Sequence, residues 1–116
     1  MILTLGLVLA AAAVPDAEIE AAAQKIAPDV VAVRHELHAR PELSNREEKT
    51  GLYLAERLRA LGLEVRHPVA KTGVVAVLRG SQPGGVVALR ADIDGLPIQE
   101  AGDAPYKSQV PGVMHA

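Results

Sequence analysis

The chain of 116 residues contains no cysteine, no phenylalanine and no tryptophan. Without cysteine there can be neither disulfides nor thiolate metal ligands within these residues, and the redox compartment is left open. Tyr53 and Tyr106 are its two aromatic residues of the Phe, Trp and Tyr class. Burial must therefore come from Val, Leu, Ile and Ala, which remove less area per residue than aromatics do. A hydrophobic content of 49% is enough for one core, but a core of such small side chains is marginal, and the chain is expected to be part of something larger. An excess of one charge sign is also missing. The formal net charge is -2, from 12 Lys and Arg against 14 Asp and Glu, and the signs are mixed along the chain. That leaves no basic footprint for nucleic acid and no charged block for an anionic membrane surface.

The apolar run from Ile2 to Val14 is too short to span a membrane stably. Ala11, Ala12 and Ala13 are small residues of the kind a signal peptidase accepts, although no Lys or Arg precedes the run. The reading is a signal peptide over residues 1–17 and export to the periplasm or the medium. The alternative is the apolar start of a buried helix, or a misplaced start codon, in a cytoplasmic protein.

Asp16 is placed to cap a helix from Ala17, with Ile19, Ala22, Ala23, Ile26, Val30, Val33 and Leu37 at helical spacing. Pro28 predicts a kink or restart, and Arg40-Pro41 an end near Ala39. Ser44-Asn45-Arg46-Glu47 reads as a capping box for a second helix from about Asn45 to Leu61. That helix has Leu54, Ala55, Leu58 and Leu61 on its apolar face and Arg46, Glu47 and Lys49 on a solvated one. Gly62 stands where a left-handed C-cap residue belongs. Three strands are then expected, at Leu63–Arg66, Val74–Leu78 and Val86–Ala91, with residues 80–85 turning the last two into a hairpin. Residues from Pro97 onward read as loop. Two helices followed by three strands make an α/β unit with an incomplete sheet.

The third of these strands runs into Asp92-Ile93-Asp94-Gly95. Alternation puts Asp92 and Asp94 on the same side. Paired carboxylates at a strand end suit a divalent metal or a polarised water. Asp-Gly is equally an ordinary turn signal, so the motif taken alone leaves both readings open. His35 and His38 lie three apart on one helical face, a spacing open to a metal but more simply served by capping and hydrogen bonding near the helix end. His67, before Pro68, reads as an exposed strand-end residue.

Three stretches in the same order resemble the metal-dependent amidohydrolases of the aminoacylase/carboxypeptidase group, which includes hippurate hydrolase, N-acyl-amino-acid amidohydrolase and the indoleacetyl-amino-acid hydrolases. They are Arg34-His35-Glu36-Leu37-His38-Ala39-Arg40-Pro41-Glu42-Leu43-Ser44 followed by Glu47-Glu48, then Ala88 to Ile98, then Pro111-Gly112-Val113-Met114-His115-Ala116. The resemblance implies the N-terminal part of a zinc-peptidase-like, mixed-sheet catalytic domain over residues 18–116. It implies hydrolysis of N-acyl amino acids or small peptides by a metal-activated water, two divalent ions (zinc, manganese or cobalt), and a homo-oligomeric parent. Asp94 matches the carboxylate that sits beside the metals and orients a ligand, and Asp92 falls where other branches place a metal-binding His. His115 lies at the lip of the site as a supporting group, and Arg90 is expected to pair with a nearby carboxylate. The family's Cys-Gly-His-Asp ligands would follow Ala116. These 116 residues are accordingly expected to hold no metal by themselves and to be inactive alone.

Two readings of other classes stand beside this one. Val86 to Gly95 also resembles the nucleophile motif of haloacid-dehalogenase phosphatases, with Asp92 as nucleophile and Asp94 as acid/base. A non-catalytic exported α/β binding module is the third.

Overall fold

The computed structural model describes residues 14–116. Residues 1–13, and with them most of the stretch read as a signal peptide, lie outside the described residues. Four elements follow in chain order: α1 (Asp16–Ala39), α2 (Glu48–Ala60), β1 (Glu64–Val69) and β2 (Gly73–Val77). The α/β class is as expected, but two strands stand where three were predicted, paired antiparallel in a single small sheet. The chain divides within α1 into a unit ending at Ala32 and a second unit, Val33–Ala116.

In the first unit the alanine-rich sequence favours helix by propensity. Asp16 and Glu18 in the first turn suit the positive end of the helix dipole. The cap expected of Asp16 falls to the preceding residue, because the Pro15 carbonyl accepts from Glu18 N at 2.9 Å and Ile19 N at 3.3 Å. The predicted restart at Pro28 is absent: α1 runs through it. Proline's fixed φ suits a helix and removes one backbone donor, and this stretch is solvent-exposed throughout. The same exposure corrects the proposed apolar stripe, since Ile19, Ile26 and Val30 are all more than half exposed.

The second unit is built where α2 packs on the β1–β2 hairpin. The capping box does not form. Asn45 is left-handed at φ 65, and Glu47, at the N-cap, makes no side-chain cap bond. The helix therefore starts at Glu48, and Glu42 caps it from six residues upstream, its carboxylate accepting from Lys49 N at 3.3 Å and Thr50 N at 2.8 Å. Glu47 turns inward instead of joining a solvated face. It is 6% exposed and accepts from the Thr72 hydroxyl at 2.7 Å. Burial pushes the Glu47 carboxyl up, but the Thr72 hydroxyl and the amides of Glu47, Asn45 and Arg46 outweigh it and hold the group below its ordinary 4.5.

At the other end Gly62, at φ 81, closes α2 as expected. Gly62 N donates to Arg59 O at 2.9 Å and Leu63 N to Leu58 O at 3.3 Å, the bond pair of a Schellman cap. Leu61, placed on the apolar face by spacing alone, is at the cap position and 77% exposed. In β1 the half-buried residues are Val65, His67 and Val69. His67 is thus not a free strand-end residue: its Nδ1–H donates to the Gly73 carbonyl at 3.2 Å, and its ring lies against Gly51. A Cβ on Gly51 would collide with the Thr72 carbonyl oxygen and stand 2.7 Å from His67 Cε1. Ala55 is the one apolar side chain wholly buried among the described residues.

This contact yields a stability prediction. Gly51→Ala is expected to lower unfolding free energy by about 1–3 kcal/mol through overpacking. Thr72→Val is expected to cost about 1–3 kcal/mol by leaving the Glu47 carboxylate without its hydroxyl donor. Because the folded-state pKa of Glu47 is depressed, its contribution is present above pH 4.5 and lost as pH falls through the lower folded value. Urea midpoints measured from pH 7 down to pH 3 should accordingly fall less steeply in Thr72→Val than in the parent.

Candidate active site

Beyond β2 the chain runs without a backbone partner as far as Asp94. Val86, Val87 and Leu89 are 98%, 88% and 97% exposed, and no backbone hydrogen bond is made by residues 86–94 among the described residues. The third strand and the hairpin turn at 80–85 are therefore corrected. An apolar run becomes a strand only with a ladder partner and a face to bury, and among the described residues this one has neither, the sheet consisting of β1 and β2 alone.

Gly95 is the first anchored residue. Its N–H donates to the Glu42 carbonyl at 2.7 Å, and Leu43 and Gly95 form a parallel bridge. Leu96 and Met114 then exchange both backbone bonds, at 2.8 and 3.1 Å. A Cβ on Gly95 would stand 2.9 Å from Pro41 Cβ, 3.1 Å from Val113 Cγ1 and 3.3 Å from the Met114 carbonyl oxygen. Three segments meet there because that residue has no side chain.

Beside this meeting point lies an open cavity of about 460 Å³, lined among others by Asp92, Asp94, His115, His38 and Arg34. The two aspartates and His115 are thus brought together. Arg90 is not part of the lining. Its Nη2 donates to Asp92 Oδ1 at 2.6 Å, with the two side chains 86% and 69% exposed, a surface pair of small energetic value. Asp94 is half-buried, next to the anchored glycine.

The inner wall is where sequence reasoning missed most. His38 Nε2–H donates to Glu100 Oε1 at 3.1 Å, and Ser108 N donates to Glu100 Oε2 at 2.7 Å. The Ser108 amide first, and His38 next, hold the Glu100 carboxyl below its ordinary 4.5. Ser108 Oγ donates to the Val113 carbonyl at 2.6 Å, and Gln109 N to Ala39 O at 2.9 Å. The His35 ring stacks on Tyr106 at 3.7 Å and 7°, and His38 meets Tyr106 edge-on at 5.6 Å. Residues 97–116 are irregular, as read, yet ordered by these side chains. The available cue was the three-residue spacing of His35 and His38, which sets two rings on one face in need of partners.

A catalytic metal needs about three protein ligands and an open position. Among the described residues no three His, Cys, Asp or Glu side chains are arranged to hold an ion, so Asp92, Asp94 and His115 do not by themselves fit a metal centre. No helix among the described residues is long and apolar enough to cross a membrane.

No family model matches the chain. It is 51% identical over 100 residues to the N-acyl-L-amino acid amidohydrolase of Geobacillus stearothermophilus, with 85% of this chain and 27% of the relative covered. It is 49% identical over 88 residues to thermostable carboxypeptidase 2 of Saccharolobus solfataricus, with 75% and 22% covered. Its fold is similar to the crystal structure of the Bacillus subtilis YXEP protein, a dinuclear metal binding peptidase from the M20 family, at a TM-score of 0.73 and 40% identity over 79% of this chain and 26% of that one. The chain spans about a quarter of the length of these proteins.

If the close approach at Gly95 aligns the cavity wall, Gly95→Ala should separate the three segments. The expectation is a loss of about 1–3 kcal/mol, with hydrogen exchange at the Leu96 and Met114 amides accelerated roughly tenfold or more.

Proposed function

We propose that this chain, which belongs to the aminoacylase/carboxypeptidase group of metal-dependent amidohydrolases, forms one wall of the cleft in which a larger protein hydrolyses N-acyl amino acids or small peptides. The observation that carries this reading is the convergence of Asp92, Asp94 and His115 on one cavity, on a chain whose relatives are amide-cleaving enzymes.

Asp94 is assigned the orienting role, because its place in the chain is set by the neighbouring Gly95, whose amide is anchored to Glu42. A fixed carboxylate that aligns a ligand group is worth about 10–100-fold in metal affinity or activity. Asp92 is the outer member of the pair, with Arg90 as its exposed partner, and His115 supports the cleft from the returning segment. Two divalent ions, of zinc, manganese or cobalt, would polarise the scissile carbonyl and the attacking water. Their ligands are assigned to residues outside the set described here, because that set assembles no three-ligand site. For the same reason the 116 residues alone are expected to be inactive.

Val86–Leu89 is assigned a strand position in the larger sheet, where its exposed side chains would be covered. Residues 1–17 are assigned as an export signal and 18–116 as the opening part of the catalytic domain. The protein would then be periplasmic or secreted, cytoplasmic if the leader is not used, and a homo-oligomer.

The test is hydrolysis of N-acetyl and N-benzoyl amino acids by the product of the complete reading frame containing this chain, loaded in turn with zinc, manganese and cobalt. Asp94→Asn should lower kcat/KM about 10–100-fold. Arg79→Ala, which breaks only the exposed pair with Glu64, should stay within about threefold. Absence of hydrolysis with every metal overturns the proposal.

A further inference from the structure

Glu100 belongs to none of the motifs that point to the site, yet both of its carboxylate oxygens are used. One accepts from His38 of α1 at 3.1 Å and the other from the Ser108 amide at 2.7 Å. The side chains of His38 and Glu100 are only 18% and 10% exposed. A carboxylate has no proton to give, so the proton in this bond is on His38 Nε2, and the ring's orientation and Nε2 protonation are set by Glu100. The same carboxylate holds Ser108, whose hydroxyl ties Val113 at 2.6 Å. Val113 leads through Met114, paired to Leu96, into His115. The His38 and His115 rings stand 6.1 Å apart, and both line the cavity that also receives Asp94. Tyr106, edge-on to His38 at 5.6 Å, limits the ring from another side.

We propose that Glu100 is a positioning residue for the amide hydrolysis inferred above: it locks the His38 ring and the Ser108–His115 segment together, so that His38 and His115 hold a fixed separation on the cavity wall. The proposal rests on that functional reading for its kinetic consequence and on geometry alone for its structural one. Glu100 is not itself one of the residues that line the cavity, but it is bonded to one that is, His38. Its effect passes through His38.

The test uses the complete protein and follows kcat, KM and the ring carbon–proton cross-peaks of His38 and His115. Glu100→Ala should lower kcat roughly 10–100-fold with KM within about threefold, and move both cross-peaks. His38→Gln, whose amide nitrogen can donate to Glu100 in place of the ring nitrogen, should retain kcat within about tenfold and leave His115 near its parental position, whereas His38→Ala should do neither. The double variant Glu100→Ala, His38→Ala should be no slower than the slower single variant, the non-additivity expected of groups acting through one another. The proposal is overturned if Glu100→Ala shifts only the unfolding midpoint, leaving kcat and both rings unchanged, or if the two single effects add. Should Glu100→Ala fail to fold, Glu100→Gln keeps an acceptor for Ser108, and an unmoved His38 cross-peak in it is equally fatal. If the parent hydrolyses no N-acyl amino acid, the functional reading fails, and the cross-peaks alone decide the positioning claim.

Discussion

The backbone bond from Gly95 to the Glu42 carbonyl, made at 2.7 Å across a gap with no room for a side chain, is the constraint on which the site depends. Without it the residues around Asp94 would lose their direct backbone tie to the segment that follows α1, and the Leu96–Met114 pair and the Glu100–His38 contact would have to place them from further along the chain. Apolar burial adds little to these bonds, since no large side chain among the described residues is fully buried. Directional polar contacts do the work that apolar burial does in an aromatic-rich domain. Glu42 holds the start of α2, Glu47 holds the hairpin turn and Glu100 holds the return to His115. Hydrogen bonds to a charged group contribute about 1.5–3 kcal/mol each, against about 0–1 kcal/mol for exposed ion pairs such as Arg79–Glu64. Three such carboxylates therefore outweigh the surface pairs in deciding where the segments lie.

The same division explains what could be read from residues alone. Local rules with one partner inside the motif worked: Gly62 closed α2, Arg40-Pro41 ended α1, and two of the strands fell where alternation and apolar runs put them. Rules that assume an unopposed local choice failed where a distant group offered a better bond. Ser44-Asn45-Arg46-Glu47 has the spacing of a capping box, but Thr72, 25 residues downstream, takes the Glu47 carboxylate, and Glu42 is left to cap the helix. Val86–Ala91 has strand composition but no ladder among the described residues. Glu100 was invisible for a related reason, because its meaning lies in a partner 62 residues away and nothing in its neighbours marks it.

Asp92 and Asp94 show how far a pattern can go and where structure must take over. Strand alternation makes the two equivalent, and both do reach the same cavity. Backbone anchoring separates them. Asp94 is bonded to a residue whose amide and neighbours are fixed by Glu42, Met114 and Val113, so its position follows from the fold. Asp92 sits two residues further back on a segment with no backbone bond, 69% exposed and tied only to a mobile-stemmed arginine. A group that orients others at a reaction centre has to be held to within about 0.5 Å, and rotamer and backbone freedom at Asp92 exceed that unless other chain covers it. Of two carboxylates that look alike in sequence, the one next to the glycine is therefore suited to alignment. The other is suited to an electrostatic role that tolerates movement, because a charge acts over several ångströms while an orienting hydrogen bond acts over tenths.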